Sequence, residues 1–576
     1  MSSTDLILLH APSVYDFRKK PAVYGPISDV VPSSQIFEMY PIGFMSLQGY
    51  LQKHGFSVRI INVALKMLAS RRFNVDRLIR SLNPSAFGID LHWLVHAQGS
   101  LELARIVKKY HPETPIIFGG LSASYYHEEL IQYPQVDFVI RGDSAEEPLR
   151  QLLTSIKMNN PPKDLPNLTW KKNGEIRIND HSHVTTDIDG LIFDYRTMMS
   201  SSAKHRDLLG HLPFKGWLNY PIVAALCCRG CVNDCLLCGG SASAFRAICA
   251  RSSTVFRSPV VLAEDIGRIS RYFTAPIILL GDIRQAGPGY TRSLFSRLKE
   301  LKVNNHIAFE LFSPPPRDFL TMLSDAIPNF NIQISPESHD ENIRKTFGKN
   351  YDNESLERTI KHALDLGCKR VDVFFMIGLP YQAVESVRET VSYCGDLMAK
   401  YGGGKVHPYI SPLAPFLDPG SKAFEDPDKY GYKLIHRSLE DHRQALLAPS
   451  WKYTLNYETE WMSRHEIVSS TYEAAAELNR LKLKYGILKW REAKKIERRI
   501  EQERKMIDEI DSVFPAGGSG EREKELRRRM RNYNFVGKST ICKKDEMMWP
   551  AKFFRFRVFR IIQGIIADRL RSINIR

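Results

Sequence analysis

The chain lacks the features that mark membrane-spanning and disulfide-stapled proteins. Its 576 residues contain no apolar run close to the about 18–20 residues that a membrane helix needs. Nine cysteines in that length are too few for a small disulfide-rich scaffold. The opening residues also lack the basic segment that precedes the apolar core of a signal peptide. We therefore expect a cytoplasmic protein.

Acidic residues are the scarcer charged type. The chain has 80 lysines and arginines against 64 aspartates and glutamates, which gives a net charge of +16. Such an excess favours nucleic acid, anionic lipid or an acidic protein as a partner, and by itself it does not distinguish them. Because the sequence shows no RNA-binding signature with aromatic platforms, nucleic acid is the least favoured of the three.

The pattern of apolar segments divides the chain into five parts. Short apolar runs alternate with helical periodicity over residues 1–156 and again over 221–420, which is typical of βαβ units. Residues 157–220 contain few periodic runs and are predicted to be a connector. Long charged helices are predicted over 421–515, followed by a basic tail over 516–576. The predicted class is α/β, with a doubly wound parallel-sheet domain, a partial barrel and a mostly helical C-terminal region.

Five of the nine cysteines lie within one stretch of twelve residues, namely Cys227, Cys228, Cys231, Cys235 and Cys238. The last three follow an apolar strand with the spacing C-x3-C-x2-C. Three thiolates on one tight loop can bind three irons of a [4Fe–4S] cluster and leave the fourth iron open to another ligand. Two alternatives are less favoured. Structural zinc separates its cysteine pairs by about a dozen residues, and the C-x2-C-x2-C run of an electron-transfer ferredoxin is missing.

The cysteine spacing resembles the signature of radical S-adenosylmethionine (SAM) enzymes, and the resemblance extends beyond the cysteines. Four segments look like successive strands and loops of that family's partial (β/α)6-type barrel: LLGDIR (279–284), ISPES (334–338), IRKTFGKNY (343–351) and FFMIGLPYQAVESVRET (374–390). Leu237 stands where the family more often has an aromatic residue, which weakens an assignment of adenine packing there. The resemblance implies that the three spaced cysteines bind the cluster and that SAM binds its fourth iron.

A doubly wound domain followed by this barrel is similar to the cobalamin-binding class of radical SAM enzymes, over roughly residues 5–419. The similarity implies that cobalamin lies on the carboxyl edge of the first sheet. It assigns the contacts to two loops, at Gly119, Gly120, Ser122, Gly142 and Asp143. Turn chemistry explains these residues equally well.

His92 is also expected near that edge. Asp90-Leu91-His92 resembles the start of the cobalt-ligating motif DxHxxG, but position 95 is valine and the segment follows a later strand. We therefore expect His92 to pack near the corrin ring rather than to bind cobalt.

The resemblance also implies SAM contacts in the barrel. They are the backbone near Gly281 and Asp282, the strand end with Ser335 and Glu337 near the ribose, and Ile377 and Gly378 near the adenine. Glu337 can alternatively be a structural carboxylate in a salt bridge. No catalytic side chain is assigned, because the cofactors do the chemistry: the reduced cluster cleaves SAM to a 5′-deoxyadenosyl radical, and methylcobalamin supplies the methyl group.

Three hypotheses for the function follow. The first is a C-methyltransferase that acts on a peptide or protein carbon, such as the glutamine α-carbon in methyl-coenzyme M reductase. The second is a lipid enzyme that methylates membrane chains or forms rings in them. The third, a cobalamin or iron–sulfur module without enzymatic activity, is disfavoured because the barrel motifs beyond the cysteines would then have no purpose. Either enzyme implies an electron donor such as ferredoxin or flavodoxin.

The tail supports the lipid hypothesis. Residues 551–576 contain seven basic residues and one acidic residue. If they form a helix, one face carries Phe554, Val558, Ile561, Ile562 and Ile565. A basic amphipathic helix of this kind can lie on anionic lipid and would place the protein at the membrane periphery. The alternative is that this face packs on the barrel or on an acidic protein.

Overall fold

In the computed structural model, a seven-stranded sheet forms the centre of the N-terminal part. The structure describes residues 4–25, 34–172, 174–191, 193, 195–412, 416–514, 521–532, 546, 548–551, 555–564 and 566. The strands of the first sheet are β1 (Thr4–His10), β2 (Val58–Asn62), β3 (Pro84–Asp90), β4 (Ile116–Gly119), β5 (Phe138–Ile140), β6 (Leu168–Lys172) and β7 (Glu175–Ile178). Their order is β2-β1-β3-β4-β5-β6-β7, and the pairs among β1 to β5 are parallel.

Helices cover both faces of this sheet. They are α1 (Gly43–Lys53), α2 (Val63–Ala69), α3 (Val75–Arg80), α4 (Ala97–Tyr110), α5 (Leu121–Tyr125), α6 (His127–Leu130), α7 (Glu146–Lys157), α8 (Tyr195–His205) and α9 (Leu208–His211). Successive side chains of a strand point to opposite faces, so Leu6 and Leu8 belong to one apolar core and Ile7 and Leu9 to another. The predicted doubly wound parallel-sheet domain is confirmed.

The segment 157–220 is more regular than the expected connector. Strand β6 pairs antiparallel with β5, and β7 pairs antiparallel with β6, so both strands extend the first sheet. All four residues of the edge strand β7 are exposed. Its sequence EIRI alternates charged and apolar residues, but only over four residues, and so short an alternation is a weak signal for a strand.

A second, six-stranded sheet forms the predicted partial barrel. The elements of this region are β8 (Val223–Leu226), β9 (Cys228–Arg229), α10 (Ala242–Cys249), β10 (Val255–Phe256), α11 (Pro259–Tyr272), β11 (Ile277–Leu280), α12 (Pro288–Glu300), β12 (Ile307–Leu311), α13 (Arg317–Ala326), β13 (Phe330–Glu337), α14 (Glu341–Phe347), α15 (Asn353–Asp365), β14 (Val371–Ile377), α16 (Val384–Tyr401) and β15 (Val406–Pro412). The sheet order is β8-β11-β12-β13-β14-β15, with parallel pairing throughout. Its carboxyl edge therefore collects the loop ends where cofactors bind in parallel sheets.

The C-terminal region is mostly helical, as predicted. Its elements are α17 (Lys422–Glu425), β16 (Tyr432–Leu434), α18 (Leu439–Ala445), β17 (Tyr457–Thr459), α19 (Arg464–Lys484), α20 (Trp490–Val513) and α21 (Glu521–Asn532). Helix α19 packs against α16, β15 and α20. The buried side of the charged helix α20 includes Ile496, Ile500, Ile507 and Ile510, which follow helical spacing.

Residues near the C-terminus close the amino end of the barrel. Trp549 is buried and donates its indole N–H to the Asp372 carboxylate over 2.9 Å. Arg370 donates to the carbonyl of Glu546 over 2.8 Å, and Lys482 pairs with the Glu546 carboxylate at 2.7 Å. Part of the expected basic tail is thus a structural plug. Cys542, Phe554 and Ile565 lie outside the described residues.

Two buried ion pairs join the first domain to the barrel. Arg229, directly after Cys228, donates to the Glu146 carboxylate at the start of α7 over 3.0 Å. The Ser46 hydroxyl donates to the same carboxylate over 2.5 Å. Arg251 binds both oxygens of Asp143, at 2.5 and 3.1 Å. Since a buried charge is costly unless it is paired, these contacts fix how the two sheets face each other.

We expect Glu146→Gln to lower the free energy of unfolding by about 3 kcal/mol, because the Arg229 charge would stay buried without its partner. Glu102→Gln, which removes an exposed pair with Arg105, is the matched control and should cost at most about 1 kcal/mol. The apparent melting temperature of the full chain measures both effects. Equal shifts for the two variants would contradict the structural role of the interdomain pair.

The same pair predicts a pH dependence. Burial raises the pKa of the Glu146 carboxyl, but the charge and hydrogen bonds of Arg229, together with Ser46, outweigh burial and bring it below the ordinary 4.5. The stabilisation is therefore present above pH 4.5 and is lost as the pH falls through the lower folded-state pKa. Acidification over that range should lower the melting temperature of the wild type more than that of Glu146→Gln.

Candidate cofactor site

The spaced cysteines lie on one loop at the carboxyl end of the barrel. The loop follows β8 and β9 and runs to the start of α10. Backbone contacts hold it, because the Leu236 N–H donates to the Phe347 carbonyl over 3.1 Å. The side chain of Gln285 accepts the Val232 N–H at 3.2 Å. The loop therefore has a defined shape formed by the chain itself.

Several N–H groups point at the cysteine sulfurs. The Sγ of Cys231 lies 3.4 Å from the backbone N of Asn233 and 3.4 Å from Nε2 of Gln285. The Sγ of Cys238 lies 3.3 Å from the backbone N of Gly240. Hydrogen bonds to sulfur stabilise the thiolate form that a metal binds and tune the potential of an iron–sulfur cluster.

The spacing and burial of the three thiols bear on the metal group that they could bind. Among the residues that the structure describes, the three sulfurs do not gather within 4.8 Å of one another. Tetrahedral zinc needs its sulfurs only about 3.8 Å apart, whereas a [4Fe–4S] cluster spreads its ligands over different irons. Partial burial raises the pKa of the Cys231 and Cys235 thiols, so metal binding must displace their protons.

The other two cysteines of the stretch pack against Gly281. A side chain at Gly281 would place its Cβ 2.7 Å from the Sγ of Cys228 and 2.9 Å from that of Cys227. Gly281 also has a φ of +100°, which favours glycine. Its N–H donates to the partly buried Glu310 carboxylate over 3.1 Å. Gly281 is therefore required by the close approach of β8 and β11 at the loop.

Glu337 carries a buried oxygen that fits a polar ligand. Its Oε1 lies 2.5 Å from the Lys349 Nζ, and its Oε2 has no partner in the described part of the chain. Burial raises the pKa of the carboxyl, although Lys349 opposes this. Lys349 also donates to the carbonyl of Ser335. A buried polar atom without a partner is a site where a ligand donor, such as a hydroxyl or amino group of SAM, can bind.

The remaining predicted SAM contacts are engaged within the protein. Asp282 accepts hydrogen bonds from Arg284 and, over 3.0 Å, from the Phe312 N–H. Gly378 donates its N–H to Gln382 over 2.8 Å and accepts from the Tyr432 hydroxyl over 2.8 Å. Ile377 is fully buried. The roles of Asp282, Ile377 and Gly378 toward SAM stay predictions.

A cavity of about 480 Å³ lies between the carboxyl edge of the first sheet and the barrel. Four of the five predicted cobalamin contacts line it, namely Gly119, Gly120, Gly142 and Asp143. The barrel contributes Leu226, Cys228, Arg229, Gly230, Phe245, Leu280 and Gly281. Ser122 is buried but is not part of the lining. The cavity thus connects the predicted cobalamin edge with the strand that leads into the cysteine loop.

The glycines of the cavity floor have steric reasons to be there. A Cβ on Gly120 would lie 2.4 Å from the Cα of His92, and the φ of Gly120 is +117°. A Cβ on Gly142 would lie 2.7 Å from Nε2 of His181. Asp143 is held by Arg251 and helps to join the domains. Turn chemistry and close packing therefore account for these residues alongside any contact with cobalamin.

Sequence reasoning missed several residues of the site. Lys349 lies inside the IRKTFGKNY segment, whose resemblance could have indicated a role near SAM. Asp418 accepts the Gly239 N–H over 3.2 Å and the Trp93 indole N–H over 3.4 Å, so it joins the cysteine loop to the first domain. Burial raises the pKa of its carboxyl. No sequence signal identifies Asp418 or Gln285, because their partners are distant in the chain.

Comparisons with known proteins agree with this geometry. The family model of the B12 binding domain matches residues 33–153, and that of the radical SAM superfamily matches residues 226–394. No curated protein sequence matches the chain.

Solved structures show the same fold. The cobalamin-dependent S-adenosylmethionine radical enzyme OxsB, with aqua-cobalamin and S-adenosylmethionine bound, is 14% identical with a TM-score of 0.54 and covers 100% of this chain and 80% of its own. The radical S-adenosylmethionine methyltransferase TsrM from Kitasatospora setae, with tryptophan substrate and a SAM analog bound, is 12% identical with a TM-score of 0.53. That match covers 75% of this chain and 78% of TsrM. The predicted combination of domains and the predicted fold are confirmed.

Removing one cysteine of the loop tests the cluster assignment. We expect the reconstituted wild type to hold about four irons per chain and Cys235→Ala to lose most of them, together with the visible absorption of the cluster. Cys394→Ala is the control, since Cys394 is buried in the core. Iron analysis and absorbance measure the outcome. Equal iron content in both variants, or one zinc in place of iron, would contradict the assignment.

Proposed function

We propose that this chain, in which a B12-binding domain over residues 33–153 precedes a radical SAM domain over 226–394, is a cobalamin-dependent radical SAM C-methyltransferase. It would transfer a methyl group from SAM through methylcobalamin to an unactivated carbon. The observation that carries this proposal is the cavity that brings the carboxyl edge of the first sheet against Cys228 and Gly281 of the barrel. The fold shared with TsrM and OxsB supports it.

Residues of the chain would bind and orient the cofactors. When bound, the cluster, SAM and cobalamin supply hydrogen abstraction and methyl transfer. Cys231, Cys235 and Cys238 would hold the cluster. The Glu337 carboxylate, fixed by Lys349, would accept a hydrogen bond from SAM. The mainly apolar cavity wall would exclude water from the reacting groups.

We propose a peptide or protein as the methyl acceptor, with an amino-acid unit as the part that enters the cavity. TsrM, which has the same fold, is described with tryptophan as its substrate. The net charge of +16 suits an acidic protein partner. The glutamine α-carbon in methyl-coenzyme M reductase is one acceptor of this class. A ferredoxin or flavodoxin would supply the electron that reduces the cluster.

The C-terminal segment supports contact with a membrane surface. The helical residues 558–564 and Ile566 expose four large apolar side chains, Val558, Phe559, Ile562 and Ile566. An adjacent cavity is lined by six basic residues, namely Arg268, Arg271, Arg297, Lys302, Arg557 and Arg560. Apolar side chains beside basic ones are the combination that binds anionic lipid. In the described chain, no helix has the length and apolar character needed to cross a bilayer.

The position of this segment argues against lipid chains as the substrate. The Arg557 N–H donates to the Tyr272 carbonyl over 2.8 Å, and the Thr274 N–H donates to the Arg555 carbonyl over 3.0 Å. Residues 272–274 precede β11, so the segment lies at the amino end of the barrel, whereas the cysteine loop lies at the carboxyl end. A membrane bound there would not face the cavity. An enzyme that acts on lipid chains is therefore less favoured than a peptide or protein methyltransferase and is the second candidate.

An anaerobic assay tests the proposed reaction. The reconstituted protein is given cobalamin, reductant, methyl-deuterated SAM and candidate peptides or lipid extracts. We expect 5′-deoxyadenosine and S-adenosylhomocysteine to rise together while deuterium enters a peptide, and Cys235→Ala to form neither product. A product that has lost two hydrogens and carries no deuterium would contradict methylation and indicate ring formation. Deuterium in a lipid would favour the lipid enzyme.

Vesicle sedimentation tests the membrane contact. We expect the full chain to bind vesicles that contain phosphatidylglycerol and not vesicles of phosphatidylcholine alone. The double variant Phe559→Ser, Ile562→Ser should bind at least about tenfold more weakly, because it loses buried apolar area. Val260→Ser changes an exposed apolar residue at the start of α11 and is the control. Unchanged binding by the double variant would contradict the assignment.

A further inference from the structure

Three buried side chains meet at the edge of the cavity, whose lining includes one of them, Asp90. His10 ends β1, Asp90 ends β3, and His96 lies in the short turn before α4. Their exposed fractions are 0%, 3% and 1%. One ligand atom from each residue lies within 4.8 Å of the others. The carboxyl ends of two adjacent parallel strands thus bring two imidazoles and one carboxylate to a single point.

The hydrogen bonds of His10 determine which of its ring nitrogens faces Asp90. Its Nε2 lies 3.0 Å from the carbonyl oxygen of Phe37, and because a carbonyl only accepts, Nε2 carries a proton. The Nδ1 lies 3.0 Å from Oδ1 of Asp90. Phe37 has a φ of +52°, an uncommon conformation for a residue with a side chain, and this directs its carbonyl at the ring. The Nδ1 is therefore the atom of His10 that a metal would bind.

His96 is held in the same manner. Its Nδ1 lies 3.1 Å from the carbonyl oxygen of Ala11 and donates to it. In the neutral ring, Nε2 then carries the lone pair. The rings of His10 and His96 have their centroids 4.8 Å apart. Each histidine thus donates one N–H to a backbone carbonyl, which is the arrangement that orients metal-binding histidines.

The Asp90 carboxylate also has a hydrogen-bond partner outside this group of three, namely His92. The Nδ1 of His92 lies 2.6 Å from Oδ2 of Asp90, and the Nδ1 of His10 lies 3.0 Å from Oδ1 and 3.1 Å from Oδ2. The side chain of His92 is 31% exposed and lines the cavity. Asp90 therefore connects the buried point with the cavity wall.

We propose that His10 Nδ1, His96 Nε2 and the Asp90 carboxylate bind one divalent first-row transition-metal ion. Two imidazoles and one carboxylate form a ligand set that suits zinc and iron(II). Each ligand has an outer partner: the carbonyl of Phe37 for His10, that of Ala11 for His96, and His92 for Asp90. The ion would fix the ends of β1 and β3 and, through Asp90, the orientation of His92 at the cavity.

The competing arrangement is an ion pair without metal. An ionised Asp90 only accepts, so both nitrogens of His10 would then donate and the ring would be a buried cation. Such a pair is stable when both charges are paired. The two arrangements differ in whether a metal is retained, and metal analysis distinguishes them.

The first test uses the cluster-loaded full chain and zinc as the probe. After treatment with a chelator, incubation with Zn²⁺ and desalting, we expect about one zinc per chain by mass spectrometry. X-ray absorption at the zinc edge should show only nitrogen and oxygen neighbours at about 2.0–2.1 Å. No retained zinc, or sulfur neighbours at about 2.3 Å, would overturn the proposal without any variant.

The second test locates the ion. His96→Ala and Asp90→Asn should each retain less than about one tenth of the wild-type zinc. His211→Ala is the control, since His211 is also buried and its Nδ1 also lies near a backbone carbonyl. Added zinc should raise the melting temperature of the wild type and of His211→Ala only. Full zinc retention in Asp90→Asn would overturn the assignment. Neither test needs SAM or cobalamin, so the outcome is independent of the proposed methyltransferase.

Discussion

The pairing of buried arginines with carboxylates across the domain boundary is the contact on which the rest of the site depends. Arg229 and Arg251 come from segments that flank the cysteine loop, and their partners Glu146 and Asp143 lie at the carboxyl edge of the first sheet. Neither arginine can leave its partner without exposing a buried charge to apolar surroundings. Because Arg229 is two residues before Cys231, any shift between the domains would also move the predicted cluster relative to the cavity.

Close backbone approach complements these charges. Gly120 lets the turn at His92 lie against it, and Gly281 lets the sulfurs of Cys227 and Cys228 do the same on the other side of the cavity. Any larger side chain at either position would collide with its neighbours. The cavity is therefore shaped by backbone on both sides, while the ion pairs set the distance between the two sheets. A mainly apolar space of this kind is suited to excluding water.

Strong periodicity made most of the fold predictable. Strand β1 and helix α1 have clear apolar patterns, and the resemblance of the cysteine spacing and the following segments to radical SAM enzymes predicted the partial barrel. The edge strand β7 alternates charged and apolar residues over only four positions, and all four are exposed, so its signal in the sequence is weak. Trp549 and Asp372 are 177 residues apart, and nothing local in either segment reveals that they meet. The grouping of His10, Asp90 and His96 is equally invisible in the sequence, since two strands and a turn must first fold together.

Different residues occupy the two ends of the barrel. Trp549 and its partners fill the amino end, and the exposed apolar residues near Phe559 lie beside that end. The cavity and the cysteine loop occupy the carboxyl end, where Asp418 ties the loop to Trp93 of the first domain. If the chain is the proposed methyltransferase, the plug at the amino end leaves the carboxyl side, between the two domains, for the approach of its acceptor. A partner or membrane held at the amino end can then anchor the protein without competing with the acceptor for the cavity.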